Sequence, residues 1–164
     1  MAEARVGIVM GSDSDLSAMQ KAAEIFDAFG IPYYMTVASA HRTPERVLDI
    51  VQRAEREGWA AIIAGAGMAA HLAGFLAAHT IIPIIGVPMG SSSLNGLDAL
   101  LSTVQMPGGV PVATMSIGSA GAKNAGIFVV QMLASTDPTL KEKLQEYRQQ
   151  QKKEVEQKAS ALEK

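Results

Sequence analysis

The stretch "RVGIVMGSDSDLSAMQKAAEIFDAFGIP", Arg5 to Pro32, changes its apolar period once, and that change decides the fold. From Arg5 to Gly11 the apolar residues run almost without interruption and end in glycine, the pattern of a strand buried on both faces of a parallel sheet. Beyond Gly11 the spacing becomes helical. Leu16, Met19, Ala22, Ala23, Phe26 and Phe29 share one face until Gly30 and Pro32 mark the stop. A strand, a polar loop and a helix make the first part of a βαβ unit.

The unit then repeats. "PYYMTVA" predicts a second strand, followed by a helix with a stripe of Val47, Ile50, Val51 and Ala54 that closes at Gly58. "AAIIAG" predicts a third, with a small-residue helix from about Met68 to His79, and "IPIIGVP" a fourth, with a helix around Leu97 to Val104. "VPVATMSI" predicts a fifth strand, followed by a helix from Ala122 to Leu133. Strands alternating with helices in this way predict an α/β fold: a three-layer αβα sandwich with a parallel, flavodoxin-like sheet and right-handed crossovers.

From Asp137 the sequence turns charged and glutamine-rich, and Pro138 is placed as a first-turn residue of a C-terminal helix. Its sparse stripe of Leu140, Leu144, Tyr147, Val155 and Leu162 leaves two readings open: a terminal helix that frays, or an arm that docks on a neighbouring subunit. Residues 1–164 thus read as a single domain with 137–164 as a helical arm.

Composition narrows the function. A chain of 164 residues, 48% of them hydrophobic, suits one domain with a real core. A net charge of -2 and a pI near 5.9 offer no broad basic surface for a nucleic-acid backbone. The absence of cysteine excludes disulfides and thiolate metal sites and fits a cytoplasmic protein. The start "MAEARVGIVMGSDSD" carries an acid and its apolar run stops at Gly11, unlike a signal peptide, and no apolar stretch is long enough to span a bilayer. A soluble protein without a membrane partner is expected.

In open parallel sheets ligands gather beyond the carboxyl ends of the strands, so chemistry is sought in "GSDSD", "SAHRT", "GAGMAAH", "GSSSLNG" and "GSAGAKN". Thr43 is a good N-cap with Pro44 at the first helical position, which leaves His41 and Arg42 just outside the helix start on that edge. Arginine is a permanent, fork-shaped cation suited to phosphate; histidine moves protons near neutrality. The pair points to an anionic substrate and proton transfer.

Ser12 and Asp15 match the S-x-x-D capping box, which accounts for both without a ligand. Equally, the serines and Arg42 suit a phosphate while Asp15 accepts from sugar hydroxyls. "GAGMAA", Gly65 to Ala70, matches the dinucleotide pattern G-x-G-x-x-A, but the acid wanted about 20 residues further on is missing, so nicotinamide binding is rejected. Its glycines are read as room for a ligand to approach backbone N–H groups. His71 reads either as a core histidine or as a site residue. No phosphate-loop, serine-elbow or zinc-histidine pattern is present, and "GSSSLNG" and "MPGGVP" take the default reading of ordinary loops.

Taken in order, "GIVMGSDSD", "SAHRTP", "IIAGAGMAAHL", "IGVP", "NGLDALLSTVQMPGGVPVAT" and "IGSAGAKNAG" resemble the class I N5-carboxyaminoimidazole ribonucleotide mutases of purine biosynthesis, the PurE family, from about Val6 to Leu133. The resemblance implies conversion of N5-carboxyaminoimidazole ribonucleotide (N5-CAIR) into 4-carboxy-5-aminoimidazole ribonucleotide (CAIR), with no metal or organic cofactor, in homo-octamers whose sites lie at subunit interfaces. It implies His41 as general acid/base and Ser12, Asp15 and Arg42 as nucleotide-binding residues. Ser14, Ser39, Ala40, Gly67, Ala69 and His71 occupy matching pocket positions. The chain departs from the family's usual glycine at Met68, proline at Ala73 and tryptophan at Leu16.

Two competitors remain. The related class II carboxylases, which join CO2 directly to aminoimidazole ribonucleotide, usually show lysine after the histidine and "GRSN" in the third loop, where this chain has Arg42 and "GAGM". A non-catalytic nucleotide-binding protein on the same fold would follow if Met68 closed the pocket.

Overall fold

The computed structural model describes residues 6–163, so Arg5, where the first apolar run begins, lies outside the described residues. Element order is β1 (Val6–Met10), a 3-10 turn (Asp13–Asp15), α1 (Leu16–Phe29), β2 (Tyr33–Val37), α2 (Pro44–Glu57), β3 (Ala61–Gly67) and α3 (Leu72–Ala77). It continues with β4 (Ile84–Met89), α4 (Leu97–Val104), β5 (Ala113–Thr114), α5 (Ser119–Ala134) and α6 (Pro138–Leu162). The strands form one five-stranded sheet in the order β2-β1-β3-β4-β5, with every pair parallel. The α/β architecture read from the sequence is the one observed.

Strand alternation sorts the core onto two faces. Val9, Ile62, Ala64 and Ile84 face Val47, Ile50, Val51 and Ala54 of α2 and Leu72, Ala73 and Leu76 of α3 in one buried cluster. Each large aliphatic side chain removed from water there stabilises the fold by about 1.5–3 kcal/mol. Ile8, Ile63 and Ile85, neighbours in the register, point to the other face. On that face Met19 Sδ of α1 would stand only 2.5 Å from a Cβ at Gly65, so α1 rides close over the sheet. Gly126 of α5 in turn lets α1 approach, since a Cβ there would be 3.0 Å from Ile25 Cβ.

The glycine stops behave as their positions demand. Gly30 and Gly58 end α1 and α2 in the left-handed conformation, φ 71° and 64°. Two elements and one side chain depart from the sequence expectation. The helix expected from Met68 begins only at Leu72, because Met68 itself is left-handed at φ 56° and His71 N–H donates to Ala69 O instead of a helical acceptor. The fifth strand shrinks to Ala113–Thr114 because only these residues register with Ile85 and Gly86, and Pro111 has no N–H to donate. Leu16, placed on the α1 stripe by its spacing, is 47% exposed.

The chain comprises two compact units, one ending at Phe128 and the other starting at Val129. The second contains the end of α5 and all of α6, which Asp137 caps by accepting from the N–H groups of Thr139 and Leu140. Leu140 is buried, whereas Val155 and Leu162 are exposed. Among the described residues no helix is long and apolar enough to cross a membrane.

Candidate active site

With the order β2-β1-β3, the chain runs outward from β1 in opposite directions, and the crevice at that reversal is where α/β sheets bind ligands. Gly11 N–H donates to Gly65 O and Ala38 N–H to Met10 O, both at 2.9 Å, so the three strands end level and their loops start together. Between these loops lies a cavity of about 650 Å³. It is lined by Ser12, Ser14 and Asp15 after β1, by Ser39, Ala40, His41 and Arg42 after β2, by Gly67 at the end of β3 and by Ala69 and His71 after it. All ten residues singled out from the sequence therefore share one cavity.

The first loop is a network of short polar side chains. Ser12 Oγ accepts from Ser14 N–H at 3.3 Å and lies 2.9 Å from Ser14 Oγ. It thereby caps the 3-10 turn; α1 starts three residues later with Asp15 at its N-cap, and the expected capping box does not cap the α-helix itself. Asp15 is 6% exposed, and burial pushes its carboxyl above the ordinary value near 3.8, against the opposing hydrogen bonds from Ser14 and the Ser12 backbone. A carboxylate held out of water here favours an incoming hydroxyl donor.

The second loop is closed by Thr43. Thr43 is the N-cap residue of α2, yet its hydroxyl turns back, accepting from Ser39 N–H at 2.9 Å and donating to Ser39 O at 3.2 Å. Ser39 Oγ accepts from Arg42 N–H at 3.2 Å, so the turn carrying His41 is tied at both ends. Arg42 Nη2 reaches across to donate to Gly11 O at 3.2 Å, which sets the guanidinium over the β1 loop. Its remaining N–H groups suit a phosphate or carboxylate.

His41 and His71, distant in sequence, meet here with ring centroids 5.4 Å apart and planes inclined by 37°. Both are exposed, and among the described residues no hydrogen bond reaches either imidazole. The two readings of His71 thus resolve to the cavity. Met68 also lines it and is 64% exposed, so the methionine stands at the rim and does not fill the space.

Residues not singled out from the sequence also contribute: Gly11, Ala66, Leu72 and Ser91. Ser91 belongs to "GSSSLNG", which takes an ordinary-loop reading, but it lies two residues after the end of β4 and its Oγ occupies the place a Cβ on Gly67 would take. Its position after the strand neighbouring β3 was the available signal.

A flavodoxin-type parallel sheet, with an arginine, a buried acid, serine hydroxyls and paired imidazoles at its switch point, defines a class of α/β enzymes acting on small anionic ligands. Comparison with known proteins is more specific: the AIR carboxylase family model matches residues 5–154, and the chain belongs to that family. A relative named N5-carboxyaminoimidazole ribonucleotide mutase from Thermotoga maritima is 55% identical over 159 residues, covering 97% of this chain and 92% of the relative. Equally named relatives from Pyrococcus horikoshii (54% identity; 96% of this chain, 88% of the relative) and Escherichia coli K12 (51%; 93% and 90%) also match. A crystal structure of Treponema denticola PurE superposes with a TM-score of 0.87 at 28% identity, covering 97% of this chain and 98% of that one.

Proposed function

We propose that this protein is an N5-carboxyaminoimidazole ribonucleotide mutase, an isomerase of purine (IMP) biosynthesis that converts N5-CAIR into CAIR. The observation that carries the reading is the shared cavity of His41, Arg42 and Asp15, in a chain 51–55% identical to relatives bearing that name. Arg42 and the hydroxyls of Ser12 and Ser14 hold the phosphate, and Asp15 accepts from the ribose. Ser39 and Ala40 shape the turn beneath the ring. This binding energy, remote from the reacting atoms, positions the imidazole against His41.

His41 then acts twice. As the carbamate C–N bond breaks and CO2 departs, its imidazolium gives a proton to the leaving nitrogen. The ring carbon attacks the CO2, and the now neutral imidazole removes the proton from that carbon, restoring aromaticity and its own charge. No net proton is consumed. Gly67, Ala69 and His71 wall the space in which CO2 waits, and the small residues at 67 and 69 leave backbone N–H groups near the developing charge.

The reading includes assembly into homo-octamers in the cytoplasm. Leu97, Leu101 and Val104, each about half exposed along α4, form an apolar strip that a neighbouring copy would cover. Light scattering measures the mass directly, and a monomer would remove this part of the reading. Direct carboxylation of aminoimidazole ribonucleotide with bicarbonate is the competing activity, and assay of both substrates separates the two.

The deciding experiment is ultraviolet-detected interconversion of N5-CAIR and CAIR, with His41→Asn as control. Loss of turnover by about 10²-fold or more with ribonucleotide binding retained is expected. Wild-type protein that binds ribonucleotide without turnover would instead make it a binding protein on this fold.

A further inference from the structure

The imidazole of His71 has no hydrogen-bonding partner among the described residues, so only packing sets its plane. It packs against two rings, His41 at 5.4 Å between centroids and Phe75 at 5.9 Å with 90° between planes. That edge-to-face arrangement is one of the two that aromatic pairs favour at such distances. Phe75 sits one helical turn beyond His71, and its N–H donates to His71 O at 2.8 Å, so the two side chains stack along one face of α3.

Phe75 is itself braced. His79, one further turn on, lies 4.5 Å from the Phe75 ring with planes inclined by 32°. Its Nδ1 is 2.7 Å from Phe75 O; a carbonyl only accepts, so Nδ1 carries the hydrogen and donates. The hydrogen bond fixes the His79 ring, and that ring restricts Phe75. His41, His71, Phe75 and His79 form a row leading from the cavity to the end of α3.

Resting on the mutase reading of the cavity, we infer that Phe75, braced by His79, is a positioning residue that sets the His71 imidazole against the proton-transferring His41. It acts through His71 and touches no reacting atom. Leucine at 75 keeps a side chain in the α2–α3 core but presents no ring to His71, whereas tyrosine keeps the ring.

The test compares wild type, Phe75→Leu, Phe75→Tyr and His79→Leu by steady-state kinetics, thermal unfolding and NMR of the histidine ring protons. Phe75→Leu is expected to lower kcat roughly two- to tenfold, the worth of one edge-to-face contact, with KM within about twofold. The ring-current shift on the His71 protons should disappear in the same variant. Phe75→Tyr should restore both, and His79→Leu should move both in the same direction by less. Wild-type kcat with unmoved His71 resonances in Phe75→Leu overturns the inference. So does a loss of kcat that follows a loss of thermal stability and that tyrosine does not rescue. If the wild-type protein fails to interconvert the two ribonucleotides, the mutase reading falls, and the His71 resonances alone still decide whether Phe75 sets that ring.

Discussion

Comparing Met68→Gly with Met68→Ala isolates the backbone cost of the loop that forms one wall of the cavity. Met68 has φ 56°, in the left-handed region where an L side chain crowds its own carbonyl. That conformation costs a residue with a Cβ roughly 1–2 kcal/mol. Glycine avoids the crowding but loses more chain entropy on folding, a countervailing cost of about 0.5–1 kcal/mol. Both replacements discard the same long side chain, already 64% exposed, so their difference carries only the backbone effect. Glycine should therefore be the more stable variant by about 0.5–1 kcal/mol. At an ordinary right-handed helical position the sign is reversed. For a chain of this size the gap corresponds to a Tm difference of roughly 1–4 °C. Urea and thermal unfolding at one fixed protein concentration measure it. An alanine variant as stable as the glycine variant, or more so, would refute the strain argument. The same pair bears on the site: because Met68 stands at the rim, Met68→Gly should retain turnover.

Asp15→Asn should stabilise the protein near neutrality while weakening ribonucleotide binding. Burial raises the folded carboxyl above its ordinary value, so the folded chain holds that proton more tightly; the resulting stabilisation is complete below the unfolded value and is lost as pH rises through the folded one. The advantage of Asn over Asp should consequently grow on raising pH from about 3 and level off above the folded value, and urea midpoints across that range would expose an opposite slope. Gly67→Ala should overpack the cavity wall, because its methyl group would land on Ser91 Oγ and come within 3.4 Å of Met89 Cβ. A cost of about 1–3 kcal/mol is expected, of which Ser91→Ala in the same chain recovers a part. Strictly additive urea stabilities for the two single variants and the double would remove the proposed contact.

Much of the fold was legible because local rules sufficed. The shift of period at Gly11 and the stops at Gly30 and Gly58 depend on neighbours in sequence, and β1, α1, α4 and the two left-handed caps stand where the pattern placed them. The α3 start was misplaced because "MAAHLAGFLAAH" is rich in small and apolar helix formers from Met68 onward, and nothing local announces that Met68 turns left-handed. The fifth strand was overlong because apolar residues from Val110 to Ile117 satisfy a strand pattern whether or not a partner strand is present; only the register with β4 trims it.

The site divides along the same line. Its residue types were readable from the loops: an arginine beside a histidine at a helix start, serines and acids after a strand, a glycine-rich turn. Sequence alone determined that these groups lie at the carboxyl edge of a parallel sheet, since strand direction and loop position follow from the repeating βα order. Which of them meet was decided by the tertiary structure. The order β2-β1-β3-β4 brings His71 to His41, passes Arg42 across to Gly11 O and sets Ser91 against Gly67, contacts between residues about 20 to 30 positions apart. Such pairings depend on how strands lie side by side, and that is settled by burying both faces of the sheet at once, a condition no single stretch of chain contains.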